Sequence, residues 1–354
     1  MQYQPTIQKT EGIMAKVILS LDGGGIRGAA TAQFLNRVEK KLQADHGKSI
    51  RDYVDFYAGT STGSIIALAL ATTKMTMAQI NGLYNYTNAQ KIFSENKGWF
   101  EIDGLNAPRF EANGKSEVLK KNLGDARIGD VAKDKHVLAI AYAIEKRRPV
   151  VFKSTKEEYL QLHSYQVADA SSAAPTYFPT REVEIPFSND EFWLIDGGVI
   201  ANNPTMCAIA EAKRVWKDVS VSQMRVLSVG TGFMTRKING PKSRKWGGLQ
   251  WMTEGKIMEV LSDERIVDYQ AITIIDSGKY IRVNAELKAR PWLPQAPDDA
   301  MDDVSKTNIK RLKALGDFWF KQYGEAAVNL LLGTYQGPSL DRIDPETGTP
   351  TEQS

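Results

Sequence analysis

Val17-Ile18-Leu19-Ser20-Leu21 stops at Asp22 and runs without a break into Gly23-Gly24-Gly25-Ile26-Arg27-Gly28, after which apolar residues return at helical spacing. A short apolar run reads as a strand covered on both faces. The glycines read as a tight turn with room for close backbone approach. Phe34, Leu35, Val38 and Leu42, with Arg37, Glu39 and Lys40 elsewhere, form one apolar helical face. The same order recurs downstream, as strand Val54 to Ala58, turn Gly59-Thr60-Ser61-Thr62-Gly63 and apolar helix Ser64 to Ala71. His136 to Ile144 and Arg225 to Val229 are further strands, and Ile309, Leu312, Leu315 and Trp319 keep helical spacing. Strand and helix alternate, so an α/β sandwich with a mostly parallel central sheet is expected.

No repeat of fixed period and no strong linker divides the 354 residues, so one domain with insertions is expected, between a loose arm over residues 1–15 and a flexible tail over 336–354. The net charge of +3 is close to balance, which excludes a global field that would draw the chain to a nucleic acid polymer. Cys207 is the only cysteine, which excludes an intramolecular disulfide and makes a reducing cytosol the simpler compartment. Residues 1–16 lack the apolar stretch of a secretory signal. The longest apolar run, Ile65 to Ala71, falls far short of the roughly 20 residues needed to cross a bilayer. Any contact with membrane is expected from outside.

Three motifs carry the chemistry. Gly59-Thr60-Ser61-Thr62-Gly63 fits a nucleophile elbow, G-x-S-x-G, in its required context between strand and helix. The plainer alternative is an ordinary turn with Ser or Thr capping the helix. Gly23-Gly24-Gly25-Ile26-Arg27-Gly28 fits both a dinucleotide-binding turn and a row of backbone amides for an oxyanion. Asp22 favours the second, because its carboxylate would repel a pyrophosphate, and the next strand ends without the acid that a dinucleotide site requires. Asp196-Gly197-Gly198 ends the apolar strand Phe192-Trp193-Leu194-Ile195 and puts a carboxylate at a strand end. A structural aspartate in a turn is the alternative there.

A serine needs a base to take its proton. Only His46, His136 and His163 are present. His46 reads as a solvated helix end and His136 as the opening of a strand. His163, in Leu160-Gln161-Leu162-His163-Ser164, is the one retained as an alternative third member of a triad. The favoured base is a carboxylate acting directly on Ser61, with its basicity raised by desolvation.

The three motifs in this order resemble the patatin-like phospholipases, and Ala170-Ser171-Ser172-Ala173-Ala174-Pro175 and Asn202-Asn203-Pro204 add to the likeness. The resemblance covers roughly residues 17–210 and thins beyond Thr231, although Met301-Asp302-Asp303 and the helix after it look like C-terminal segments of bacterial members. It implies a three-layer α/β/α patatin-like fold, with a catalytic core over 16–210 and a C-terminal part of the same domain over 211–335 that carries lid or regulatory segments. It implies no metal, no cofactor, and fatty acyl esters of phospholipids or galactolipids as substrates.

Carried over by residue, Ser61 would attack the ester carbonyl, Asp196 would take its proton, and amides around Gly24 and Gly25 would hold the oxyanion. The oxyanion loop comprises Gly23, Gly24, Gly25, Arg27 and Gly28; Gly59, Thr60, Thr62 and Gly63 shape the elbow, and Gly197 and Gly198 the turn after the base. Arg27 supports the loop or lies as a plain surface arginine.

Lipid must reach the site from a bilayer. Lys97-Gly98-Trp99-Phe100 and Arg244-Lys245-Trp246-Gly247-Gly248-Leu249-Gln250-Trp251-Met252 mix cations with aromatics, as a membrane surface requires, although core packing is the favoured reading of the tryptophans. In length and layout the chain is also similar to bacterial patatin-like effectors switched on by cyclic dinucleotides in anti-phage signalling. The likeness implies such an activator on the basic 236–245 segment, where a solvated loop is the favoured alternative.

Overall fold

A computed structural model describes residues 15–96, 107–186, 191–255 and 263–353. Nearly all of the N-terminal arm and the Lys97 to Phe100 stretch lie outside the described residues.

Among the described residues ten strands build one sheet: β1 (Val17–Leu21), β2 (Phe56–Thr60), β3 (His136–Ala143), β4 (Arg148–Lys153), β5 (Arg181–Glu184), β6 (Glu191–Asp196), β7 (Arg225–Val229), β8 (Tyr280–Val283), β9 (Ser339–Ile343) and β10 (Pro350–Gln353). From β9 through β8, β7, β1 and β2 to β3 the neighbours run parallel. Antiparallel pairs lie at the margins, β10 on β9, β4 and β6 on β3, and β5 on β6.

Alternate residues of the central strands feed two apolar layers. Val17, Leu19, Leu21, Tyr57, Val137 and Ala139 pack under helices Gly28–His46, Thr62–Thr72 and Lys306–Leu332. Ile18, Phe56, Ala58, Leu138, Ile140 and Val226 pack under Ala208, Ile209 and Ala212 of helix Thr205–Val215 and Ala271 of helix Arg265–Ile274. Both faces of the sheet are thus covered, which is why β1 and β7 read as continuous apolar runs rather than alternating ones.

Residues 336–354, expected as a flexible tail, instead carry β9 and β10. Leu340 and Ile343 are buried, Ser339 Oγ accepts the Gly278 N–H at 3.0 Å, and Tyr323 donates its hydroxyl to the Asp341 carbonyl at 2.8 Å. Two buried apolar side chains and pairing to β8 hold an edge whose polar composition hides it. No helix among the described residues is long and apolar enough to cross a membrane.

One detail of register sets the site. β4 occupies one edge of β3 from Leu138 to Ala143, so β2 and β6 share the other edge, end to end. Thr60 stands opposite Ile140 and Asp196 opposite the next residue, Ala141. The C-terminal ends of β2 and β6 therefore meet head-on.

Candidate active site

Ser61 leaves β2 at that junction with φ +53°, a conformation rare for any residue but glycine, and helix Thr62–Thr72 starts at once. The serine makes no capping hydrogen bond to this helix, so the plain-cap alternative fails. At Gly63 a Cβ would fall 2.1 Å from the Leu21 carbonyl oxygen, so the helix can approach β1 only with glycine there. Thr60 donates to the Ala201 carbonyl at 2.7 Å, and Thr62 shares a hydrogen bond with Tyr84 at 2.6 Å, so both threonines brace the elbow.

Asp196 ends β6 on the cavity that Ser61 also lines, and the Ser61 side chain pulls its carboxyl pKa down. The Gly198 N–H donates to Oδ1 at 2.7 Å. Burial pushes the carboxyl up from 3.8 to about 6, against the opposing pull of Ser61, Gly198 and Lys115. Such a group is ionised at neutral pH yet basic enough to accept a proton. None of the three histidines lines the cavity around this pair. His136 stacks near Phe56 and Trp216 at the opposite end of β3, His46 closes the exposed end of helix Gly28–His46, and His163 precedes helix Ser164–Ser171, ringed by Tyr165.

The glycine loop divides its amides. Gly23 N–H donates to the Asn202 carbonyl at 3.0 Å, Arg27 N–H to Gly24 at 3.1 Å, and Gly28 N–H to Gly25 and Ile26. Neither Gly24 nor Gly25 spends its N–H on a hydrogen bond within the described residues. Both line the cavity that holds Ser61 and Asp196, so the donor set expected over the whole loop narrows to these two. Gly25 sits at φ +57°, and a Cβ there would fall 2.3 Å from the Met301 carbonyl oxygen, which accepts the Ile26 N–H at 2.9 Å. Arg27 Nε donates to the Gly24 carbonyl at 3.3 Å and so supports the loop.

Contrary to the expectation from sequence, the Asp22 carboxylate is not free to repel an anion at the loop, because it is spent on a buried guanidinium. It is fully buried against Arg282, at 2.9 and 2.5 Å. Glu264 and Asp268 also contact this guanidinium, at 2.8 and 3.1 Å, and the three carboxylates hold it charged. Glu264 in turn accepts from Asn202 at 2.9 Å, and Asp268 from Asn203 at 3.0 Å.

The cavity, about 600 Å³, is walled by Ile65, Leu83, Phe93, Val118, Leu119 and Phe178 away from the polar pair. A largely apolar chamber with a serine and a carboxylate in its wall suits an acyl chain with a reactive head. At the mouth Met252 is 67% exposed, beside Leu249 at 72%. Trp246 and Trp251, favoured as core residues, instead pack edge to face on each other at the surface, 5.3 Å between centroids. Trp251 lies on the short helix Gly248–Thr253 and Trp246 on the loop before it.

Lys115, Ser171, Tyr84 and Arg282 escaped the sequence reading. Arg282 left one signal, a lone charge inside the apolar run Tyr280-Ile281-Arg282-Val283. Ser171 lies in a small-residue stretch that the resemblance marked without a role.

Residues 19–209 match the family model described as patatin-like phospholipase. The chain is 29% identical to patatin-like protein 3 of Arabidopsis thaliana, covering 90% of this chain and 83% of that protein. It is 27% identical to patatin group J-1 of Solanum tuberosum, over 86% and 84%. Among solved structures, VipD from Legionella pneumophila aligns with a TM-score of 0.44 at 12% identity, over 86% of this chain and 67% of that one.

Proposed function

This chain belongs to the patatin-like phospholipase family and is a lipid acyl hydrolase, and on that premise we propose that it cleaves fatty acyl esters of membrane phospholipids through an acyl-enzyme on Ser61, with Asp196 as the only base. The observation that carries the proposal is the head-on meeting of β2 and β6, which sets a strained serine against a buried carboxylate whose pKa lies at about 6.

The ester carbonyl enters beside Gly24 and Gly25 with its acyl chain in the apolar chamber. Ser61 Oγ bonds to the carbonyl carbon while its proton passes to Asp196. The carbonyl oxygen becomes an oxyanion, held by the two free amides. Collapse breaks the ester bond, and the leaving alcohol takes the proton from Asp196. Water then gives a proton to Asp196 and attacks the acyl-enzyme. The acid leaves as Ser61 recovers its proton.

Peripheral membrane contact at the mouth is supported by exposed Leu249, Trp251 and Met252. Activation by a cyclic dinucleotide, in defence against phage, is a further part of the proposal and rests on the basic 236–245 segment. Arg236 pairs there with Asp299, and Lys242 with Glu254, so phosphate binding leans on Lys237, Arg244 and Lys245. Lipid hydrolysis with and without a panel of cyclic dinucleotides tests this part, and equal rates throughout would end it.

The main experiment is release of fatty acid from vesicles of a defined phospholipid, with positional analysis of the product. Wild type is expected to release acid and Ser61→Ala none above background. Release by both at the same rate would contradict the proposal.

A further inference from the structure

Where β2 and β6 meet end to end, neither can complete the other's ladder, and backbone groups at the junction need partners from elsewhere. Residues 171–173 supply them. Ser171 Oγ accepts the Ser61 N–H at 3.1 Å and donates to the Ile140 carbonyl at 2.6 Å. The Ser171 carbonyl accepts the Gly197 N–H at 3.3 Å, and the Ala173 carbonyl accepts the Asp196 N–H at 3.0 Å. One turn thus grips both strand ends and the strand beneath them.

The turn is itself locked. Lys115, on helix Ala112–Leu123, sends its ammonium to the carbonyls of Asp169 and Ser172 at 2.9 and 2.7 Å and to Ser172 Oγ at 3.1 Å. The Asp169 carboxylate stands 3.1 Å from the same nitrogen. A cation on the last carbonyls of helix Ser164–Ser171 also meets the negative end of its dipole. Ser171 is wholly buried and Lys115 nearly so.

We propose that Ser171 is a positioning residue for the hydrolysis: its hydroxyl, on a turn fixed by Lys115, sets the separation and orientation of Ser61 relative to Asp196. The inference rests on the dyad reading above. Ser171 touches no reacting atom, and its effect runs through the Ser61 backbone. Without its hydroxyl the elbow loses its tie to Ile140 and to the segment that carries Asp196. Misplacement of a nucleophile by a fraction of an ångström to an ångström costs up to about a hundredfold in rate.

The test compares Ser171→Ala with Ser164→Ala on a soluble ester. Ser164 is equally buried on the same helix and shares a 2.8 Å hydrogen bond with Thr72, away from the junction. Ser171→Ala is expected to lose about 10- to 100-fold in kcat, with KM held within about twofold. The acid limb of its kcat/KM profile is expected to move to higher pH, because displacing the Ser61 side chain removes an influence that holds the Asp196 carboxyl down. Ser164→Ala is expected to melt earlier and keep its kcat.

Unchanged kcat in folded Ser171→Ala would overturn the proposal, as would equal kcat losses in the two variants. Should Ser171→Ala not fold, Ser171→Cys, which keeps the volume and a weak donor, is expected to show a smaller kcat loss with the same pH displacement; wild-type kcat in it would overturn the proposal. Ser61→Ala run alongside separates the two readings, since its retaining activity would sink the dyad itself.

Discussion

Arg282 and Asp22 meet in a two-pronged ion pair with neither side chain exposed, Nη1 to Oδ1 at 2.9 Å and Nη2 to Oδ2 at 2.5 Å. The pair joins β8 to the residue that opens the glycine loop. On the same guanidinium, Glu264 holds Asn202, whose carbonyl takes the Gly23 amide. The loop's shape is therefore fixed by residues more than two hundred positions away.

Arg282→Met would leave the fully buried Asp22 carboxylate without its cation, and would take one partner each from Asp268, which keeps Arg342, and from the half-buried Glu264, which keeps Asn202 and Asn284. Denaturant unfolding is expected to show a loss of about 3–5 kcal/mol, the usual result of removing one partner from a buried ion pair. A loss under about 1 kcal/mol would mean that the network does not support the fold.

Activity should follow the ionisation of Asp196. The base works only when deprotonated, so kcat/KM on a soluble ester is expected to rise with pH, to reach half its plateau near the carboxyl's value of about 6, and to stay level above it. A limb near pH 4, the range of an exposed carboxylate, would mean that burial does not tune this group.

The same displacement has a stability consequence of opposite sense. The folded-state value of about 6 exceeds the ordinary 3.8, so the native protein holds a proton that the unfolded chain has released, and folding is progressively penalised as pH rises between the two values. A rise from 3.8 to about 6 corresponds to about 3 kcal/mol. Asp196→Asn removes the titration. Its stability advantage over wild type is expected to grow by about that amount from pH 4 to pH 7. An advantage independent of pH would contradict the assignment.

Much of this was legible in the chain because β1 and β2 are buried on both faces and end in glycine turns, which leaves apolar runs and motifs side by side in sequence. Asp196 was legible because it ends the apolar run Phe192 to Ile195 directly before a glycine turn. The head-on junction was not, since it depends on which edge of β3 each strand occupies, and pairing partners leave no local mark. Arg282 and Glu264 were hidden because their partners are dispersed from Asp22 through Asn202 to Asn284. β9 and β10 were missed because Asp341, Arg342, Thr351, Glu352 and Gln353 give an edge strand a tail's composition.

Leu249 and Trp251 flank the mouth without lining the chamber. The double variant Leu249→Ser, Trp251→Ala is expected to bind phospholipid vesicles about tenfold more weakly in a sedimentation assay, the loss expected from roughly 60 Å² of buried apolar surface. Hydrolysis of a short soluble ester should stay near wild type. Equal losses in both assays would place these residues in folding rather than in membrane contact.

The most direct measurement is the second-order rate of covalent labelling by a fluorophosphonate, followed by intact mass, for wild type, Asp196→Asn and a variant with His46, His136 and His163 all replaced by Gln. One adduct on Ser61 is expected in wild type, with a rate at least about a hundredfold lower in Asp196→Asn and little changed in the histidine-free protein. Labelling that survives the loss of Asp196 but disappears with the histidines would contradict a serine activated by a carboxylate alone.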